Sequence, residues 1–159
     1  MNFTPRRAQS EDNMGPMAYP SVKDFMARDE ITLSPELTIN EAIELILKRK
    51  LTGAPVLDKE RNIVGMFTEK DCLRIISDSA YNNLPYNSRQ VKDYMSPVVK
   101  TISVDSDILK VANEFLTSSY RKFPVVSNGK LVGQVSRRDV LRAIRKLKSV
   151  NWHQQTHHA

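Results

Sequence analysis

The sequence predicts an α/β (mixed α+β) protein built from two tandem β-α-β-β-α repeats. Three observations carry this. First, Val22-Lys23-Asp24-Phe25-Met26 returns as Val91-Lys92-Asp93-Tyr94-Met95, and the same offset relates Thr32 to Thr101, Ser34 to Ser103, Ile39 to Ile108 and Pro55 to Pro124. Second, Gly65-Met66-Phe67-Thr68-Glu69-Lys70-Asp71 and Gly133-Gln134-Val135-Ser136-Arg137-Arg138-Asp139 share one pattern: a glycine, two strand-like positions, a hydroxyl, two polar residues and an aspartate. Third, hydrophobic periodicity within each copy alternates between strand and helix spacing in the same order.

The elements follow in chain order. Residues 1–20 hold Pro5, Gly15, Pro16 and Pro20 among polar residues, and a loose arm is expected. Repeat one is assigned to 21–79, a connector to 80–90, repeat two to 91–148 and a tail without helix or strand period to 149–159. Each repeat opens on an extended segment, Ile31-Thr32-Leu33 and Lys100-Thr101-Ile102. A helix follows, capped by Thr38 with Glu41 in copy one and by Asp107 in copy two, where Lys110 breaks the capping box. The expected core stripes are Ile39, Ala42, Ile43, Ile46 and Leu47, then Ile108, Val111, Ala112, Phe115 and Leu116. A hairpin comes next, from Pro55-Val56-Leu57 to Ile63-Phe67, and from Pro124-Val125-Val126 to Leu131-Val135. The offset shortens by one residue between proline and glycine. Copy two has Asn128-Gly129 there, a two-residue hairpin signal, and copy one the longer 58–62 turn, so the change falls where it costs least. A second helix closes each unit, with Cys72, Leu73 and Ile76 answering Val140, Leu141 and Ile144.

Composition narrows the function classes. At 159 residues the chain is long enough to bury roughly 70% of its unfolded surface. No apolar run approaches the ~18 residues that span a bilayer, and no apolar stretch follows Arg6-Arg7, so neither a membrane span nor a signal peptide is expected. The single cysteine, Cys72, has Val140 as its counterpart and reads as a buried thiol. A cytoplasmic protein is expected. The net charge of +6 is concentrated in Arg137, Arg138, Arg142, Arg145, Lys146 and Lys148. That face suits an anionic partner, or is simply a solvated helix end favoured by the dipole. All three histidines, His153, His157 and His158, lie in the tail without nearby carboxylates or cysteines, so no metal site is expected. With no histidine in the body, acid-base and nucleophilic catalysis have little to draw on, and no enzyme and no catalytic cofactor are expected.

The doubled motif has a chemistry of its own. A glycine inside a strand marks close approach by a ligand or by another backbone. Thr68 and Ser136 fall where helices begin, where unpaired N–H groups and the dipole favour an anion. Asp71 and Asp139, one turn in, are placed to accept hydrogen bonds from vicinal ribose hydroxyls. The same spacing is also an ordinary helix cap, and the two readings are compatible.

A doubled β-α-β-β-α unit with Gly-h-h-Thr/Ser-x-x-Asp at the last strand-helix junction resembles the CBS-domain pair, over about residues 20–148. Met95-Ser96-Pro97 matches the family's Met-led opening, while Met26-Ala27-Arg28 departs from it. The resemblance implies an intertwined pair with pseudo-twofold symmetry, in which the repeats exchange their first strand segments and two clefts form between them. It implies regulation through an adenosyl nucleotide, AMP, ADP or ATP, bound by Gly65, Thr68 and Asp71 in one cleft and by Gly133, Ser136 and Asp139 in the other. It further implies that cations before the strand proline of one repeat reach phosphates at the other repeat's motif. Arg121 and Lys122 are so placed for the Thr68 cleft, whereas Thr52 and Gly53 leave the Ser136 cleft to Arg137 or Arg138.

A stand-alone sensor is therefore expected, since the pair nearly fills the chain, signalling to an unknown effector protein or through its own dimer. The alternative is a nucleic-acid-binding accessory protein using the basic last helix; no helix-turn-helix, zinc spacing or aromatic-interleaved basic stripe accompanies it. A homodimer through the first helices is expected because the apolar stripe spans about 160° in copy two, once Leu109 is counted with it, and about 140° in copy one, with Leu45 outside even that arc. A helix covering one side of a core needs little more than ~100°.

Overall fold

The computed structural model describes residues 19–83 and 88–155, and for 148–155 the backbone only. Most of the expected arm, part of the connector, and the tail end with His157 and His158 lie outside the described residues.

A 3-10 turn at Val22–Asp24 leads in. Then come α1 (Ile39–Arg49), β1 (Gly53–Leu57), β2 (Ile63–Thr68) and α2 (Glu69–Asn82), followed by a short α3 (Val91–Tyr94), β3 (Ile102–Ser103), α4 (Ile108–Leu116), β4 (Lys122–Ser127), β5 (Lys130–Ser136) and α5 (Arg137–Gln155). The caps form where the residues predict them. Thr38 Oγ1 accepts from the Glu41 N–H at 3.3 Å and Asp107 Oδ1 from the Lys110 N–H at 3.0 Å. α1 ends on Lys50 and α2 on Asn83, both left-handed. α5 runs through Gln155, beyond the expected end at Lys148. The stretch holds no glycine or proline to stop it, and one more residue on an existing helix costs little.

β1 and β2 pair antiparallel, with Val56 opposite Gly65; β4 and β5 do the same, with Val125 opposite Gly133, and both hairpins shift register just after that pair. Asn128 (φ +52°) and Gly129 (φ +78°) supply the two left-handed positions of a tight turn. In copy one, Asp58 Oδ1 accepts from the N–H groups of Glu60 and Asn62 at 2.9 and 2.8 Å and organises the longer turn. β3 runs parallel to β4, with Ile102 beside Val125; in copy one the matching segment is a single bridge from Leu33 to Val56.

The segments that cross over are the leading ones. Ala27 bridges Gln134, and Ser96 bridges Met66. Val22 is fully buried among Ile108, Val111 and Phe123 of repeat two, and Val91 among Ile39, Val56 and Phe67 of repeat one. Each burial stabilises the exchange by about 1.5–3 kcal/mol. The repeats are thus intertwined about a pseudo-twofold axis, and the strands near Leu33 and Ile102 stay with their own repeats.

The helix stripes differ from expectation at their edges. Ile39, Ala42 and Ile46 are buried, as are Ile108, Val111 and Phe115, but Leu47 and its counterpart Leu116 are 72% and 83% exposed. Leu45 instead packs against the core. On α2, Ile75 is buried while Leu73 and Ile76 face solvent. Periodicity gives the mean direction of a stripe; which flank is covered depends on neighbours that come from elsewhere in the chain. Among the described residues no helix is long and apolar enough to cross a membrane.

Candidate functional site

The motif glycines serve the exchange. A Cβ on Gly65 would lie 2.5 Å from Met95 Sδ and 3.0 Å from the Ser96 carbonyl; on Gly133 it would lie 2.8 Å from both Met26 Sδ and the Ala27 carbonyl. The close approach that the glycines signal is therefore by the other repeat's leading segment. A side chain there would push the crossing strand off and loosen the helix starts that follow.

Both aspartates are caps. Asp71 Oδ2 accepts from the Thr68 N–H at 2.8 Å and from Thr68 Oγ1 at 3.2 Å. Asp139 Oδ2 accepts from the Ser136 N–H at 2.8 Å, while Ser136 Oγ accepts from the Asp139 N–H at 3.1 Å. The second oxygens face arginines: Arg74 stands 3.4 Å from Asp71 Oδ1, and Arg142 is 3.1 Å from Asp139 Oδ1. Asp71 is buried and Asp139 partly open. The first helical N–H of each motif is also used, that of Glu69 by the Thr52 carbonyl at 3.0 Å and that of Arg137 by the Arg121 carbonyl at 3.3 Å. The helix starts are therefore rigid and keep fewer spare donors than an isolated helix end would have.

Thr68 opens onto a cleft of about 510 Å³. Repeat one contributes Thr52, Gly53, Met66 and Thr68; repeat two contributes Arg121, just before β4, and Lys122, its first residue. The structure thus brings Thr68 together with the two cations expected to serve its motif, while Gly65 and Asp71 do not line this cleft. Glu69 and Lys70 lie on the same rim, as do Ser119 and Tyr120, which the sequence reading did not single out. Tyr120 meets the buried Phe123 ring at a tilt of 56°, centroids 5.5 Å apart, which fixes that wall. The signal for Ser119 and Tyr120 was their place just before Arg121.

The second motif is arranged differently. Ser136 is half-buried, Arg137 Nε donates to the Tyr120 carbonyl at 3.1 Å, and Arg138 is exposed. Asp139 lines a groove of about 550 Å³ between Phe25-Met26 of the leading segment and Arg142 and Leu147 of α5. Gln134, the counterpart of Met66, is buried with Oε1 unpaired. Cys72 is half-buried, and desolvation followed by the neighbouring Asp71 carboxylate pushes its thiol up from the ordinary value. Among the described residues no group of three or more metal-ligating side chains assembles.

A sequence profile of the CBS domain matches residues 22–78 and again residues 91–146. The chain belongs to the CBS-domain family. The chloroplastic CBS domain-containing protein CBSX1 of Arabidopsis thaliana is 29% identical over 154 residues, covering 80% of this chain and 65% of CBSX1. An uncharacterized protein of Methanocaldococcus jannaschii is 29% identical over 153 residues, covering 94% of this chain and 51% of that one. The chain thus spans between half and two-thirds of the length of these curated relatives. The crystal structure of CBSX2 in complex with AMP matches with a TM-score of 0.72 at 28% identity, over 82% of this chain and 99% of that one. The exchanged leading segments and capped motifs described above are the features of this CBS pair that shape its clefts.

Proposed function

We propose that this CBS pair is a regulatory sensor of adenosyl nucleotides, AMP, ADP or ATP, which passes occupancy to an effector protein or through its own dimer. The observation that carries this reading is the cleft in which the Thr68 helix start of one repeat faces Arg121 and Lys122 of the other. Two cations facing the positive end of a helix suit a phosphate. Asp139, which lines its groove beside Arg142, offers Oδ1 to a ribose hydroxyl when Arg142 gives way, while the buried Asp71 acts by holding Thr68 in place. The AMP complex of the 28% identical CBSX2 supports the same ligand class. The role is regulatory and not catalytic, in keeping with a lone thiol that burial pushes up from its ordinary value and with the absence of histidine before His153. The single cysteine fits a cytoplasmic setting.

The dimer is part of the proposal. Leu47 of α1 and Leu109 and Leu116 of α4 stand exposed, with Leu73 and Ile76 of α2 and Leu141 of α5 beside them in sequence pattern. Leu47 with Leu116, and Leu73 with Leu141, repeat at matched positions of the two copies, and such apolar side chains suit a second chain better than water.

Thermal unfolding with adenosine, AMP, ADP, ATP and S-adenosylmethionine tests the ligand class. A ligand at 100 times its dissociation constant should add ~2.7 kcal/mol. No shift with any of them at millimolar concentration refutes the reading. Arg121→Ala with Lys122→Ala should weaken ATP binding more than adenosine binding.

A further inference from the structure

Lys122 reaches the cleft already engaged. Its Nζ donates to Glu30 Oε2 at 3.1 Å, and the two side chains are only 28% and 17% exposed. Glu30 lies on the crossing segment between Ala27, which bridges β5 of repeat two, and Leu33, which bridges β1 of repeat one. The pair therefore ties that crossing to the start of β4. It has no counterpart in the other half, where Val99 stands in the place of Glu30 and Gly53 in that of Lys122. Arg121 beside it is exposed and makes no ion pair among the described residues.

From this one-sided pair we infer that Glu30 sets the cleft's preference for ligand charge by competing with a ligand phosphate for Lys122. The inference rests on the nucleotide reading above. An incoming phosphate must either share the ammonium with the Glu30 carboxylate or replace it. Sharing places two anions on one cation. Replacement strands a mostly buried carboxylate without its partner, which is strongly unfavourable. The net gain from Lys122 is then the difference between two anion contacts and is small. Arg121 carries the phosphate preference, and the cleft discriminates less between adenosine and its phosphates than two free cations would allow.

Isothermal titration of adenosine, AMP and ATP into wild type, Glu30→Gln, Lys122→Met and the double variant tests this. Glutamine keeps the size and an acceptor oxygen for Nζ but removes the charge. Glu30→Gln should tighten ATP binding by about 10-fold, as expected for releasing one charge-assisted contact, and leave adenosine within about 2-fold. In the Lys122→Met background the same change should have no effect on ATP. Equal ATP affinities in wild type and Glu30→Gln overturn the inference while the nucleotide reading stands. A Glu30→Gln gain that persists without Lys122 also overturns it, because Glu30 then repels phosphate directly. Failure of adenosine, AMP and ATP alike to bind any variant removes the nucleotide reading and this inference together. If Glu30→Gln does not fold, Glu30→Asp, which keeps the charge but shortens its reach, should shift ATP in the same direction by less.

Discussion

At the scale of single residues, the glycines and the cysteine make the sharpest expectations. Gly65→Ala and Gly133→Ala should each cost about 1–3 kcal/mol in urea unfolding, because a methyl has nowhere to go without moving the other repeat's leading segment. Gly65 faces mainly the flexible Met95 side chain, whereas Gly133 meets the Ala27 backbone as closely as the Met26 sulfur. Met95→Ala should therefore relieve Gly65→Ala more than Met26→Ala relieves Gly133→Ala, and double-mutant cycles measure both couplings. Gly129→Ala meets open space but keeps φ at +78°, so its cost is conformational, about 1–2 kcal/mol. Cys72 should react with a thiol reagent at neutral pH more slowly in the folded chain than in urea, since its raised pKa leaves less thiolate.

At the scale of elements, helix register is the point that the structure corrected. Leu45→Glu should destabilise the monomer by roughly 2 kcal/mol, because it drives a charge into packed apolar side chains. Leu47→Glu should change monomer stability by no more than ~0.5 kcal/mol. Chemical denaturation of both variants compares them directly, and an equal effect would contradict the packing of α1. The turn between β1 and β2 has a pH signature. Hydrogen bonds from Asn62 first, and also from Glu60, hold the Asp58 carboxyl below its ordinary value. A depressed folded pKa contributes stability above the ordinary carboxylate range and loses it as pH falls through the depressed value. Asp58→Asn should therefore be less stable than wild type at neutral pH, and the gap should close in acid.

At the scale of the whole molecule, the exchange of leading segments makes the two repeats one cooperative unit. Each core contains a fully buried valine from the other repeat, so neither repeat is expected to unfold alone, and calorimetric and van't Hoff enthalpies should agree. The exposed Leu47 and Leu116 are expected at the interface of a second copy. Sedimentation equilibrium at tens of micromolar should give a dimer mass, and Leu47→Glu with Leu116→Glu should shift it to monomer. A monomer mass for wild type would remove the dimer.

Local patterns in the sequence were enough to determine the repeat, the order of elements, the caps at Thr38 and Asp107, the Asn128-Gly129 turn and the doubled motif. Each depends on residues close together in the chain, whose backbone preferences and spacing need no distant partner. The grouping of Thr68 with Arg121 and Lys122 was legible only through resemblance, because it joins residues of different repeats. Tertiary structure alone decided that Gly65 and Gly133 make room for the other repeat's leading segment, that Leu45 and not Leu47 faces the core, and that Glu30 holds Lys122 from 92 residues away. Those outcomes depend on which distant surface arrives at each residue, and the exchange of leading segments between repeats, which sets that, leaves no trace in local periodicity.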